Sequence, residues 1–259
     1  PTGAVTALTN AQQLYTLPVS LFGISVSASE LPALSSVAAR AETDTLRRRI
    51  DAALERLTFF TVPSAVGFAA LGDVIAGTLL QTGRFNAHDS RIVWGILAGS
   101  AIGLVATTQS RLYGVAHYAL HDARTPLRYA LVRLSFVAVL GYVCALIIPP
   151  LLGIARIWGT AGLTASAGVS GWIEFLLLRA SLTRRIGATG LPASFMARLW
   201  APAVAAGVAA WGLKIALPPL GPLARGVVLL PTFGLVYFGG AALLGVPVVA
   251  MLKSRRQEA

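Results

Sequence analysis

The feature that most constrains this chain is a succession of seven long apolar stretches separated by short polar connections, over 12–33, 58–80, 92–118, 126–148, 158–178, 195–216 and 226–250. A helix rising about 1.5 Å per residue needs about 20 residues to cross the hydrocarbon core of a bilayer, and a helix satisfies its own backbone polar groups there. The expected fold class is therefore all-α, a polytopic membrane helix bundle of about seven transmembrane helices. Composition agrees: 56% of the 259 residues are hydrophobic and 12% charged, against roughly 45–50% and 25% in a soluble domain. Pro18, Gly23, Pro63, Gly67, Pro202 and Pro231 fall inside the stretches, which bundled membrane helices tolerate when neighbours satisfy the freed backbone groups.

The formal charge of +11 does not describe a nucleic-acid patch, because the 21 Lys and Arg fall in small groups between apolar runs. They describe topology instead. Fifteen lie in one set of alternating connections: Arg40, Arg47, Arg48, Arg49 and Arg56, then Arg111, Arg124 and Arg128, then Arg179, Arg184, Arg185 and Arg198, then Lys253, Arg255 and Arg256. Five lie in the other set (Arg84, Arg91, Arg156, Lys214 and Arg225), and Arg133 falls inside a span. Cytoplasmic loops carry the excess, so the N-terminus is expected outside and the C-terminus in the cytoplasm. Pro1 is not followed by a basic region, an apolar core and a cleavage site, so no signal peptide is expected. Cys144, the single cysteine, has no partner for an intrachain disulfide and reads as packing.

Between the first two spans, residues 41–57 carry Leu46, Ile50, Ala53, Leu54 and Leu57 at helical spacing with charges elsewhere. That pattern fits a helix lying in the cytoplasmic interface with arginines near anionic headgroups, and equally a solvated connecting helix.

Enzymatic chemistry is poorly supplied. No glycine-rich phosphate loop follows a strand pattern and no serine sits in a nucleophile-elbow context. His117 and His121 are four apart with Asp122 beside them, as a metal site on a continuous helix requires, but the helix is expected to end there. No metal and no cofactor are expected.

LHDARTPLR (120–128) reads as a helix start: Thr125 as N-cap, Pro126 in the first turn, Arg124 and Arg128 holding that end in the cytoplasm, and Asp122 accepting from Arg124 or from a free helix end. In GRFNAHDSR (83–91), Gly83 ends one span, Phe85 sits at the interface, and Asn86 with Asp89 caps the next helix. Ionisable residues inside spans are Glu30, Asp73, Arg133, Glu174 and Lys214. A charge there costs a few kcal/mol and usually faces a cavity or a partner, and Glu174 lies deepest. Gln12 and Gln13, followed by a run of small residues and serines including Ser25, suit either close helix packing or the lining of an aqueous cavity.

Three of these motifs resemble the MurJ (MviN) type of lipid II flippases, in the multidrug/oligosaccharidyl-lipid/polysaccharide flippase superfamily. QQLYTLPVSLFGISVSASELPALS (12–35) is similar to a family helix with a polar start, a proline and a leucine-phenylalanine-glycine run. GRFNAHDS (83–90), with Gly83, Arg84, Phe85 and Asp89, resembles a family loop, and YALHDARTP (118–126), with Tyr118, Asp122, Arg124, Thr125 and Pro126, resembles another. In order and spacing the chain matches the family's eighth to fourteenth helices. The resemblance implies a second transporter lobe over 1–190, incomplete at its N-terminus, followed over 191–259 by two additional helices and a basic cytoplasmic tail. It also implies a bacterial inner-membrane protein that flips lipid II by alternating access in cell-wall biogenesis, without making or breaking bonds. Its partners would be an undecaprenyl-diphosphate-linked glycan, membrane lipids and the absent first lobe. The last two helices (195–250) would form a groove for the polyprenyl tail, and Gln12, Gln13, Ser25, Glu30 and Glu174 would be the candidate cavity residues. Two positions depart from the family: Gln13 stands where an arginine is thought to meet the substrate's diphosphate, and Glu30 stands where an apolar residue is usual. Glutamine brings no charge to a phosphate, so another polyprenyl-linked glycan, or a non-transporting scaffold for cell-wall synthesis, stays open as an alternative.

Overall fold

The computed structural model describes residues 2–81, 85–153, 155–218, 220–248 and 251, with all their side chains but those of 2 and 156. The tail residues Lys253, Arg255 and Arg256 and the motif residues Gly83 and Arg84 lie outside the described residues. Among those described there is no strand, and nine α-helices follow one another: α1 (Thr2–Pro18), α2 (Ser25–Ala39), α3 (Thr43–Leu80), α4 (Ala87–Ala119), α5 (Arg124–Tyr142), α6 (Ile148–Leu151), α7 (Gly159–Ile186), α8 (Ala193–Ala216) and α9 (Pro222–Leu243). Seven segments are long and apolar enough to cross a membrane. The first joins α1 to α2 through a π-helical segment, Val19–Ile24, and the fourth joins α5 to α6 through another, Val143–Ile147. Pro18 precedes the first of these and cannot donate to the turn before it, so the ladder widens there and the Ser25 N–H reaches back to the Ser20 carbonyl.

The 41–57 stretch is not a separate interfacial helix. It is the first half of α3, which continues through the membrane to Leu80. Leu46, Ile50, Ala53, Leu54 and Leu57 are fully buried against Leu112, Tyr113, Phe175, Leu178 and Leu182 of α4 and α7. The apolar stripe is thus covered by protein, because α4 and α7 run alongside it with apolar faces of their own.

α4 is the axis of the bundle: 78% of its most apolar window is buried, against 6% for the span containing α5. α4 and α7 approach closely because small residues line the seam. A Cβ on Gly103 would collide with the backbone of Gly168, and one on Gly99 would lie 2.5 Å from the Ala161 carbonyl. α8 and α9 pack on one another and on α3. Side chains satisfy backbone groups across these contacts. Pro63 in α3 has no N–H for the Phe59 carbonyl four residues back, and the Tyr237 hydroxyl of α9 donates to that carbonyl at 2.6 Å. Beside the kink in α3 at Leu71, the Trp94 indole N–H donates to the Ala69 carbonyl at 2.8 Å.

α4 ends as expected near His121, in a left-handed turn (φ 57°): Asp122 N–H donates to the His117 carbonyl and His121 N–H to that of Tyr118. His117 is fully buried and His121 exposed, so the two do not share a face. The Asn86 and Asp89 capping box forms as read, Asn86 Oδ1 accepting from His88 and Asp89 N–H and Asp89 Oδ2 from Asn86 N–H. Phe85, half-buried, packs against the core. Thr125 is not the N-cap of α5, which begins at Arg124. The free end is closed by Asp122, whose Oδ1 accepts the Thr125 N–H at 3.1 Å.

Candidate functional site

One group of polar residues inside the bundle gathers between the first span and helices α4, α5 and α7. On α4, Thr107, Ser110, Arg111, Gly114 and Tyr118 recur at helical spacing and form one stripe. α2 brings Ser27, α5 brings Arg133 and α7 brings Glu174, and together they enclose a cavity of about 590 Å³. A second cavity of about 240 Å³ shares Thr107, Arg111 and Arg133 with it and is closed by Gln12, Tyr15 and Thr164. Arg133 Nη1 donates to Glu174 Oε2 at 2.9 Å, with the carboxylate largely buried, so Glu174 is both a helix-to-helix partner and a cavity wall. Arg111 has no ion pair among the described residues.

The far side of the first span is apolar. Leu14, Leu17 and Leu21 line a groove of about 380 Å³ with Phe60 and Phe68 of α3 and Phe233 of α9. The groove belongs to the first span, α3 and α9. α8, expected to share it, contributes no lining residue. Position along the first span explains the division. Gln12, Tyr15 and Val19 fall on the cavity face and Leu14, Leu17 and Leu21 on the groove face.

The candidate residues separate accordingly. Gln12 and Glu174 line the cavities. Gln13 lines none of these spaces, because it lies one residue, about 100°, around from Gln12, although both side chains are exposed. Ser25 returns its hydroxyl to the Ser20 carbonyl at 3.1 Å, and the cavity serine is Ser27, two residues on. Glu30 is buried away from the cavity and ties α2 to α3 through Arg49 at 2.7 Å and Arg56 at 3.9 Å. Of the loop motifs, Tyr118 and Pro126 line the larger cavity. Asp122 joins the end of α7 through Arg185 at 2.7 Å, while Arg124 is exposed. Hydrogen bonds from Thr125, aided by the Arg185 charge, hold the Asp122 carboxyl below the usual carboxylate range.

Sequence reasoning missed Arg111, Ser27, Ser110 and Thr107. Arg111 counted as a connection charge, although it lies inside the 92–118 stretch. The signal that would have found it is its spacing from Thr107, Gly114 and Tyr118.

The family model described as lipid II flippase MurJ matches residues 1–245. This chain belongs to the lipid II flippase MurJ family. Among MurJ relatives, a probable lipid II flippase MurJ of Rhizobium tropici is 30% identical over 71% of this chain and 32% of its own length. One of Bdellovibrio bacteriovorus is 27% identical over 99% of this chain and 48% of its own length. The lipid II flippase MurJ of Burkholderia cenocepacia is 28% identical over 94% and 47%. The chain thus spans a third to a half of the length of the MurJ relatives it matches. A solved structure of lipid II flippase MurJ in an inward closed conformation superposes with a TM-score of 0.72 at 21% identity, over 93% of this chain and 47% of that one. At that identity the likeness speaks for the fold alone.

Proposed function

We propose that this chain is the second half of a flippase for lipid II, the lipid-linked peptidoglycan precursor, working with a first lobe by alternating access in the bacterial cytoplasmic membrane. One observation carries the reading beyond family membership: a single span presents a polar, arginine-bearing cavity on one face and an apolar groove on the other. An amphipathic cargo with an anionic headgroup and a long hydrocarbon tail needs that arrangement within reach of one molecule. The headgroup occupies the cavity shared with the first lobe, the undecaprenyl tail runs in the groove, and no bond is made or broken. The arginine-rich connections, the 40–56 group foremost, face the cytoplasm with the C-terminus.

The test is complementation. The complete natural gene encoding these residues, expressed in a bacterium depleted of its own lipid II flippase, is expected to restore growth and lipid II exposure at the outer surface. Absence of rescue by a protein shown to be in the membrane overturns the lipid II assignment.

A further inference from the structure

Where α3 ends and α4 and α9 begin, a further cavity of about 390 Å³ opens, outside the proposed transport path. α3 lines it with Asp73 and Gln81, α4 with Ser90 and Arg91, and α9 with Pro222 and Arg225. Its charge is unusual for this end of the molecule. Of the five Lys and Arg in the sparsely charged connections, Arg91 and Arg225 line the cavity, and Lys214 of α8 stands beside it, donating to Asp73 Oδ2. Lys214 thereby answers one oxygen of that carboxylate, while the other, Oδ1, is buried without a partner. A buried acceptor with no donor asks for an explanation. Arg91, exposed, and Arg225, half-buried, make no ion pair among the described residues. The cavity therefore holds two guanidinium groups that call for an acceptor and one carboxylate oxygen that calls for a donor.

A ligand that meets both demands carries a phosphate, which accepts from guanidinium forks, and close to it a charged N–H donor. We infer that this cavity binds the headgroup of phosphatidylethanolamine, with the phosphate held by Arg91 and Arg225 and the ammonium donating to Asp73 Oδ1. Position selects a bilayer lipid over a solute. Asp73 lies seven residues, about 10 Å, before the end of α3, and Arg91 and Arg225 lie within the opening turns of their own spans, so the cavity sits where headgroups meet acyl chains. Its volume takes a phosphate with its ethanolamine and leaves the acyl chains in the bilayer. A headgroup there bridges α3, α4 and α9, and so pins the helix that gives Phe233 to the groove. The site goes beyond the flippase reading and rests on it only for the side of the membrane, the outer leaflet, from which the lipid comes.

The experiment uses the complete natural gene product, stripped of lipid in detergent and titrated with phosphatidylethanolamine, phosphatidylcholine and water-soluble glycerophosphoethanolamine, with bound lipid read by mass and the thermal midpoint followed alongside. Phosphatidylcholine has the same phosphate and net charge but no N–H, and is expected to bind several-fold more weakly. Arg91→Gln/Arg225→Gln, at positions that are not buried, is expected to weaken phosphatidylethanolamine by about tenfold. Asp73→Asn/Lys214→Gln removes both charges of one pair together, so that neither is left alone, and is expected to bring phosphatidylethanolamine down to the level of phosphatidylcholine. Equal affinity of the wild type for the two lipids, or an unchanged affinity in the arginine variant, overturns the site. A soluble headgroup that binds as tightly as the lipid overturns the bilayer source. The two readings fail separately: rescue by the wild-type gene without a preference for phosphatidylethanolamine leaves the flippase and removes the site, whereas a preference lost in both double variants, without rescue, leaves the site and removes lipid II transport.

Discussion

Tyr237 and Asp122 each close a backbone end that helix geometry leaves open. Tyr237 supplies the donor that Pro63 cannot, at a carbonyl buried between α3 and α9. Tyr237→Phe keeps the ring contacts with Phe59 and Phe238 but strands an acceptor in the interior. It is expected to cost about 1–3 kcal/mol, read as a lowered thermal midpoint in detergent, while Phe238→Tyr, adding no donor at that carbonyl, does not compensate. Asp122 contributes through its lowered pKa. Such a carboxylate stabilises the fold above its ordinary pKa of about 4, and the contribution is lost as pH falls through the lower folded value. The midpoint difference between wild type and Asp122→Asn is therefore expected to be full at pH 7 and to shrink toward zero under strong acid. A difference that grew on acidification would contradict the sign.

At the scale of elements, the α4 and α7 seam is where the fold tolerates least. Gly103 and Gly168 face each other so closely that any side chain at either displaces backbone, not a flexible side chain. Gly103→Val is expected to reduce the yield of folded protein sharply, whereas Gly212→Val, where a Cβ meets open space on α8, is expected to leave it near wild type. The groove is the opposite case. Gly234 of α9 lines it and an added Cβ there also meets nothing. Gly234→Phe should thus fill the groove while preserving the thermal midpoint, and complementation should fall. Retained rescue would remove the groove from the proposed transport path. Both contrasts concern helix surfaces that hydropathy treats alike, since glycine at 103, 212 and 234 reads the same in an apolar run.

For the whole molecule, the apolar stretches determined the seven spans and their order, and the Asn86 and Asp89 spacing determined one cap, because hydrophobic length and capping are local properties. The three motifs identified the family for the same reason: each is contiguous in sequence. Only the tertiary structure decided which face of each span meets what. Hydropathy is nearly silent about rotation when most positions are apolar, and the π segment at 19–24 shifts the phase between the two halves of the first span. Neighbours therefore set which of two adjacent glutamines reaches a cavity, bury Glu30 against arginines of α3, and turn Arg111 from a topology marker into a cavity wall. They also cover the apolar stripe of 41–57, which amphipathic periodicity alone leaves open between a membrane surface and a solvated connection. Whether such a stripe meets a membrane or another helix depends on partners far away in sequence, and only the folded bundle brings them near.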